Sequence, residues 1–261
     1  MEKQQLLQEV EKLCREVGQW MVDQRVESSE IESKSLNNFV SFVDKGSEEK
    51  LVAGLSQLLP GSGFIAEEGT GEEVEDGPNW IIDPLDGTTN FLHHVPMWCI
   101  SIALHERDQL TLGIIYDPLR KESYTAIKGE GAFLNGKPIR ASNGATLRDS
   151  LLATGFPYDD FGRQTNYMKL LADLTTNTRG IRRLGSAALD LAYVAAGRFE
   201  AFYEYSLNPW DVAAGILIVE EAGGKVTGFK LEDDPLYGDD ILASNSLIHN
   251  KMLEVIEKHK V

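Results

Sequence analysis

The chain has 261 residues, 42% of them hydrophobic and 25% charged, a balance that excludes disorder and suits one large or two small soluble domains. With 41 acids against 25 bases the formal net charge is -16, so the basic footprint of a nucleic-acid binder is missing and an anionic membrane surface would repel it. The two distant cysteines, Cys14 and Cys99, exclude a disulfide framework or a CxxC metal site, and no apolar run approaches membrane-spanning length.

The polar start Met1-Glu2-Lys3 leads straight into helical periodicity without a secretory apolar region, so a cytoplasmic location is expected. Apolar residues at Leu6, Val10, Leu13, Cys14, Val17 and Met21 form one stripe, which predicts a long surface helix over residues 3–26. Phe39 to Val43 looks extended, with Asp44 closing the strand, and Glu48 to Leu59 reads as a helix stopped by Pro60-Gly61. Phe64-Ile65-Ala66 is a short strand ending in Glu67-Glu68, a position that parallels Asp83 in the next strand. The acidic, glycine-rich stretch up to Asn79 reads as a mobile loop.

Trp80-Ile81-Ile82 is a buried-strand pattern, followed by Asp83-Pro84-Leu85-Asp86-Gly87-Thr88-Thr89-Asn90-Phe91. Pro84 and Gly87 are expected to hold the two aspartates on a turn at the strand's end. A helix starting after Gly87 would turn its first backbone N–H groups toward an anion. Carboxylates for a cation thus meet amides for an anion, although these residues alone also fit an acidic turn with Asp86 as a helix cap.

Beyond this stretch, Trp98 to Leu104 and Leu110 to Tyr116 alternate around a polar turn, and Ser123 to Ile127 and Ala132 to Leu134 continue an antiparallel meander with Asn135-Gly136 as a tight turn. The second half alternates strands (Leu151 to Thr154, Ala201 to Tyr205) with helices (Gln164 to Leu174, Ser186 to Ala196, Pro209 to Ala222, Ser246 to Lys258). Residues 1–261 are read as a single catalytic domain with subdomains 1–143 and 144–261 meeting near Ala141 to Thr146, of α/β (α+β) type with helices layered on mixed sheets. Asn208-Pro209-Trp210-Asp211 places a further acid in the first turn of a helix, by itself no more than a common helix-start residue.

Taken together, Phe64 to Glu68, Trp80 to Phe91 with its Asp-Pro-Leu-Asp-Gly-Thr core, and Trp210-Asp211-Val212-Ala213-Ala214-Gly215 resemble the inositol monophosphatase family of metal-dependent sugar phosphatases. Gly113 to Pro118, Gly129 to Gly136 and Leu184 to Asp190 extend the resemblance over almost the whole chain. It implies the layered α-β-α-β-α sandwich of those phosphatases. It also implies Mg²⁺, two or three ions, held by Glu67, Asp83, Asp86, Asp211 and the carbonyl of Leu85, a set of hard oxygen donors that suits this cation.

The same resemblance implies phosphate contacts at the amides of Gly87 and Thr88, catalytic roles for Thr88, Asp44 and Glu67 around an attacking water, and contacts of Asp86, Gly185, Ser186, Ala187, Glu204 and Asp211 with the substrate. Glu68 is expected to be a supporting acid, and His93 and His94 loop or interface residues. The expected reaction is hydrolysis of inositol-1-phosphate or a related small polyol phosphate, lithium-sensitive, in a homodimer whose partner is a small-molecule phosphate and neither nucleic acid nor membrane. Fructose-1,6-bisphosphate and histidinol phosphate are alternative substrates on the same fold. 3'-Phosphoadenosine 5'-phosphate is disfavoured by Thr89-Asn90, where such phosphatases usually carry Lys-Glu. A non-catalytic regulatory or binding protein would be expected to lack one of the four metal acids, and all four are present. Asn38 to Val43 departs from the family's usual run before Asp44, which leaves the loop near Lys34, and with it the number of ions, open.

Overall fold

Parity along the strands explains the layering. In a strand successive side chains face opposite ways, and here the two faces of each central strand enter different cores. The computed structural model describes residues 2–24, 32–33, 39–157 and 162–261. Lys34 and the last residues of the expected first helix lie outside them.

In chain order the first half comprises α1 (Lys3–Val22), a two-stranded antiparallel pair β1 (Glu32–Ser33) and β2 (Phe39–Val40), α2 (Phe42–Leu58), β3 (Gly63–Ala66), β4 (Asn79–Asp86), the one-turn helix α3 (Thr88–Leu92), and the strands β5 (Cys99–Glu106), β6 (Gln109–Asp117), β7 (Glu122–Ile127), β8 (Gly131–Leu134) and β9 (Lys137–Ile139). Strands β3 to β9 form one sheet in sequence order, antiparallel except for the parallel pair β3–β4. Trp80, Ile82, Ile100, Ile102, Leu104, Leu112 and Ile114 point from it into a core shared with Val10, Cys14 and Val17 of α1 and Leu51 and Leu55 of α2.

The second half adds β10 (Leu151–Thr154), α4 (Gln164–Asn177), β11 (Gly180–Arg182), α5 (Ala187–Ala195), β12 (Ala201–Tyr205), α6 (Pro209–Glu221), β13 (Lys225–Thr227), β14 (Asp240–Ser244) and α7 (His249–His259). Its sheet has the order β11-β10-β12-β14-β13, with β10 parallel to both neighbours and the remaining pairs antiparallel. Helices α5 and α6 lie between the two sheets in a core with Ile81, Ala103 and Ile115 from one side and Ala153, Phe202 and Ala243 from the other. Helices α4 and α7 close the far face through Tyr167, Leu170, Met252 and Ile256. The result is the five-layer α-β-α-β-α sandwich.

Small residues make the middle layer thin. A Cβ on Gly113 of β6 would stand 3.1 Å from the carbonyl oxygen of Ala214, and one on Gly215 would reach 2.4 Å from Leu191 Cδ1. Larger side chains would push α6 away from the sheet and from α5.

Three local expectations need correction. Residues 41–43 are not the end of a strand: Ser41 caps α2, its hydroxyl accepting from Val43 N–H, while Asp44 at the third helical position accepts Ser41 N–H at 2.8 Å in a capping box. The stretch from Glu67 to Asn79 is tied down, since Phe64 N–H donates to Glu72 O and the Asn79 amide bonds both ways with the Val74 backbone. Asp83 to Asp86 is not a turn, because β4 runs through to Asp86.

His249 joins α7 to the second sheet, its ring nitrogens 3.0 Å from Thr227 Oγ1 and 2.9 Å from Ser244 Oγ. Burial, with Lys225 adding to it, holds its imidazole down at about 4. The unfolded chain, near the ordinary 6.5, therefore binds more protons than the folded one between those values. The stability due to neutral His249 is complete above about pH 6.5 and is lost as pH falls toward about 4. In thermal melts across this window, the parent's Tm is expected to fall more steeply than that of His249→Gln; parallel curves would refute this assignment.

Candidate active site

Asp83 and Asp86 are an odd number of positions apart, so on a regular strand they would face opposite cores. The register resolves this: Asp83 pairs with Ser101 and Asp86 with Cys99, three steps on β4 against two on β5. The extra residue is a β-bulge, at which Pro84, lacking an N–H, leaves no ladder donor unpaired. It turns both carboxylates toward the same end of the sheet.

There they meet Asp211, which the first turn of α6 presents while accepting Asn208 N–H at 2.7 Å. One carboxylate oxygen from each of Asp83, Asp86 and Asp211 lies within 4.8 Å of the others. Asp83 is 2% exposed and also accepts Leu85 N–H at 2.9 Å. Asp86 rests on the start of α5, where Ser186 Oγ donates to it at 2.6 Å and Ala188 N–H at 2.7 Å. Glu67 stands outside this three-acid group but lines the same cleft. Its place follows from the parallel register, in which Ala66 pairs with Ile82 and Glu67 N–H donates to Ile82 O.

Such an arrangement is electrostatically poor without a cation. Burial, followed by the charges of Glu67, Asp86 and Asp211, pushes the Asp83 carboxyl well above the usual carboxylate range. Burial and the charge of Asp86 do the same to Asp211. Asp86 is pushed up to about 6 by burial, against the bonds from Ser186 and Ala188. Clustered oxygen donors that repel one another, those of Asp83 and Asp86 buried and that of Asp211 half-buried, fit a hard divalent cation, whose charge would remove the repulsion.

Next to the acids, Thr88 Oγ1 donates toward Asp44 Oδ1 at 2.9 Å, with the carbonyl of Leu85 at 3.0 Å as the other acceptor. Asp44 Oδ2 is taken by Ser41 N–H and Ser41 Oγ, so the carboxylate is fixed in place. Gly87, at φ +98°, turns the chain from β4 into α3, whose first amides have no acceptor within the helix. Gly185, Ser186, Ala187 and Glu204 also line the cleft. Glu204, from β12, is 7% exposed, and burial pushes its carboxyl up to about 8 against the opposing charge of Arg183.

The site residues expected from sequence line this cleft except Asp44, which reaches it through Thr88, and the supporting acid Glu68. Two further residues shape it. Glu48, buried on α2, accepts Glu68 N–H at 2.8 Å and Thr70 N–H at 2.7 Å and so fixes the turn that carries Glu67. Glu68 thus contributes its backbone, and its side chain does not line the cleft. Asp44 and Glu48, four apart, share a helix face, a signal hidden by reading residues 39–43 as strand. Asn90 Nδ2 donates to Met97 O at 2.7 Å and Leu184 O at 2.9 Å, joining the Gly87 turn to the segment before α5. His93 ends α3 and His94 follows at φ 57°, neither lining the cleft.

Among known proteins, the model described as "Inositol monophosphatase family" matches residues 2–260. An inositol-1-monophosphatase of Mesorhizobium japonicum is 41% identical over 234 residues, 89% of this chain and 88% of that protein. A protein of Neisseria meningitidis serogroup B named putative Nus factor SuhB is 43% identical over 251 residues, 95% of this chain and 96% of its own length. The crystal structure of the extragenic suppressor protein suhB from Bartonella henselae superposes with a TM-score of 0.91 at 38% identity, covering 97% of this chain and 98% of that one.

Proposed function

Because the chain belongs to the inositol monophosphatase family, we propose that it is a Mg²⁺-dependent phosphomonoesterase acting on inositol-1-phosphate or a related small polyol phosphate. The observation that carries this reading is the meeting of Asp83, Asp86 and Asp211 beside the Thr88–Asp44 pair. In this reading Glu67, Asp83, Asp86, Asp211 and the Leu85 carbonyl hold two or three ions. Magnesium, when bound, lowers the pKa of water and neutralises charge on the phosphoryl oxygens. Thr88, its proton committed to Asp44 or Leu85, keeps lone pairs free to accept a hydrogen from the attacking water, and Glu67 supports that water from the opposite strand. The amides of Gly87 and Thr88 donate to the phosphate, while Asp86, Gly185, Ser186, Ala187, Glu204 and Asp211 contact the alcohol portion. Lithium sensitivity, a homodimer, a single catalytic domain and a cytoplasmic location belong to the same proposal. Among the described residues no helix is long and apolar enough to cross a membrane.

A second reading comes from the relatives named Nus factor. Those names give no support to the expectation that nucleic acid plays no part, and a non-catalytic role of that kind is the alternative to test. A phosphate-release screen over sugar, polyol and nucleotide phosphates separates the two. Release from inositol-1-phosphate with Mg²⁺, suppressed by chelation and by Li⁺, is expected. Absence of release from every ester would favour the non-catalytic role.

A further inference from the structure

Four described side chains carry a buried polar atom without a hydrogen-bond partner: Trp80 Nε1, Ser123 Oγ, Tyr203 OH and Asp190 Oδ1. Of these residues, Asp190 alone lines the cleft. It is 1% exposed and sits in α5, one helical turn beyond Ser186, the residue whose hydroxyl holds Asp86. An unmatched buried carboxyl oxygen is unfavourable unless something entering the cleft donates a hydrogen bond to it.

Resting on the phosphatase reading above, we propose that Asp190 reads a hydroxyl of the substrate's alcohol portion, acting beside Glu204 to select polyhydroxylated esters over plain aryl or alkyl ones. The neighbourhood restricts what the donor can be. Burial first, then the negative charges of Glu204 and Asp86, push the Asp190 carboxyl above the usual carboxylate range against the single opposing charge of Arg183, and two acids against one base disfavour a phosphate there. It stands outside the three acids whose oxygens converge on a cation position. A neutral hydroxyl, able to donate, satisfies both restrictions. The lining beside Glu204 is also shaped for this: a Cβ on Gly155 would lie 2.0 Å from both Glu204 carboxylate oxygens, so glycine is what allows that carboxyl to lie close against the backbone. Two carboxyls from different layers, α5 and β12, thus flank the same part of the cleft.

The test compares inositol-1-phosphate with 4-nitrophenyl phosphate, an ester without hydroxyls, on the parent, Asp190→Ala and Asp190→Asn in Mg²⁺. In Asp190→Ala, kcat/KM for the inositol ester is expected to fall about 10- to 100-fold, the range for one hydrogen bond to a carboxylate, mainly through KM. The aryl ester should change little, and Asn, which keeps an accepting oxygen, should restore part of the loss. Equal losses on both esters, or no loss on either, would overturn the proposal. Should the parent hydrolyse neither ester, the phosphatase reading fails separately. Calorimetric titration of parent and Asp190→Ala with inositol-1-phosphate and Mg²⁺ then decides: weaker binding by the variant supports the role of Asp190, and equal affinities, absence of binding by both included, overturn it.

Discussion

Asp83→Asn is expected to lower Mg²⁺-dependent phosphate release by about 100-fold or more, since losing even an outer partner of a metal ligand costs about 10- to 100-fold, while making the metal-free protein more stable. Both effects have one cause. Asp83 is 2% exposed and faces Glu67, Asp86 and Asp211, so in the absence of a cation its charge is buried among like charges. A carboxyl raised in the folded state binds protons there that the unfolded chain has released. It therefore costs stability as pH rises from the ordinary value of 3.8 up through its folded value, above which the loss is complete and constant. The amide has the same shape, keeps an oxygen for Leu85 N–H and carries no charge, but it is a poorer ligand for a hard cation. Melting curves in EDTA and in Mg²⁺ should show a higher Tm than the parent in EDTA and a smaller gain on adding Mg²⁺. Parental activity, or a lower metal-free Tm, would remove Asp83 from the cation site.

Gly87→Ala is the second large effect. A side chain at φ +98° occupies a region that L-residues rarely adopt, and its Cβ would stand 2.8 Å from Met97 O and 3.2 Å from Gly185 O. Strain of about 1–2 kcal/mol corresponds to a Tm lower by roughly 2–8 °C for a chain of this size. The larger consequence is positional. Relief of the contacts requires the turn to move, carrying with it the amides of residues 87 and 88 and the Thr88 hydroxyl. A displacement near 1 Å at such a point reduces rate by about 100-fold. Steady-state kinetics with inositol-1-phosphate, alongside a melt, check this; near-parental kcat/KM would show that the turn does not position the phosphate.

How much of the molecule the sequence discloses depends on how local the cause is. Strands that alternate, such as Ile100-Ile102-Leu104, and helices with explicit stops, such as the one ending before Gly223-Gly224, are legible because each carries its own signal. Strand β14 is not, since Ile241, Leu242 and Ala243 are buried on both faces and show no alternation. The start of α2 was hidden for a different reason: Phe42 and Val43 favour a strand, and only the capping box of Ser41 and Asp44 overrides that preference. Within the site, the aspartates are visible because they lie in short, chemically unusual stretches. Glu48 acts across 20 or more residues of sequence, and its one local signal, the four-residue spacing from Asp44, is masked by the strand-like Phe42-Val43; Asp190 lies in a recognisable stretch, but nothing in that stretch discloses its unmatched buried oxygen.

The bulge in β4 also bears on how such motifs are recognised. On a strand, ligand spacing is a question of even and odd. Two acids an even number apart share a face without assistance, whereas two acids an odd number apart cannot do so unless the count is offset by one. An Asp-x-x-Asp on a strand with convergent carboxylates is therefore a statement about the backbone as much as about the ligands. Here the proline between the acids marks where the offset occurs.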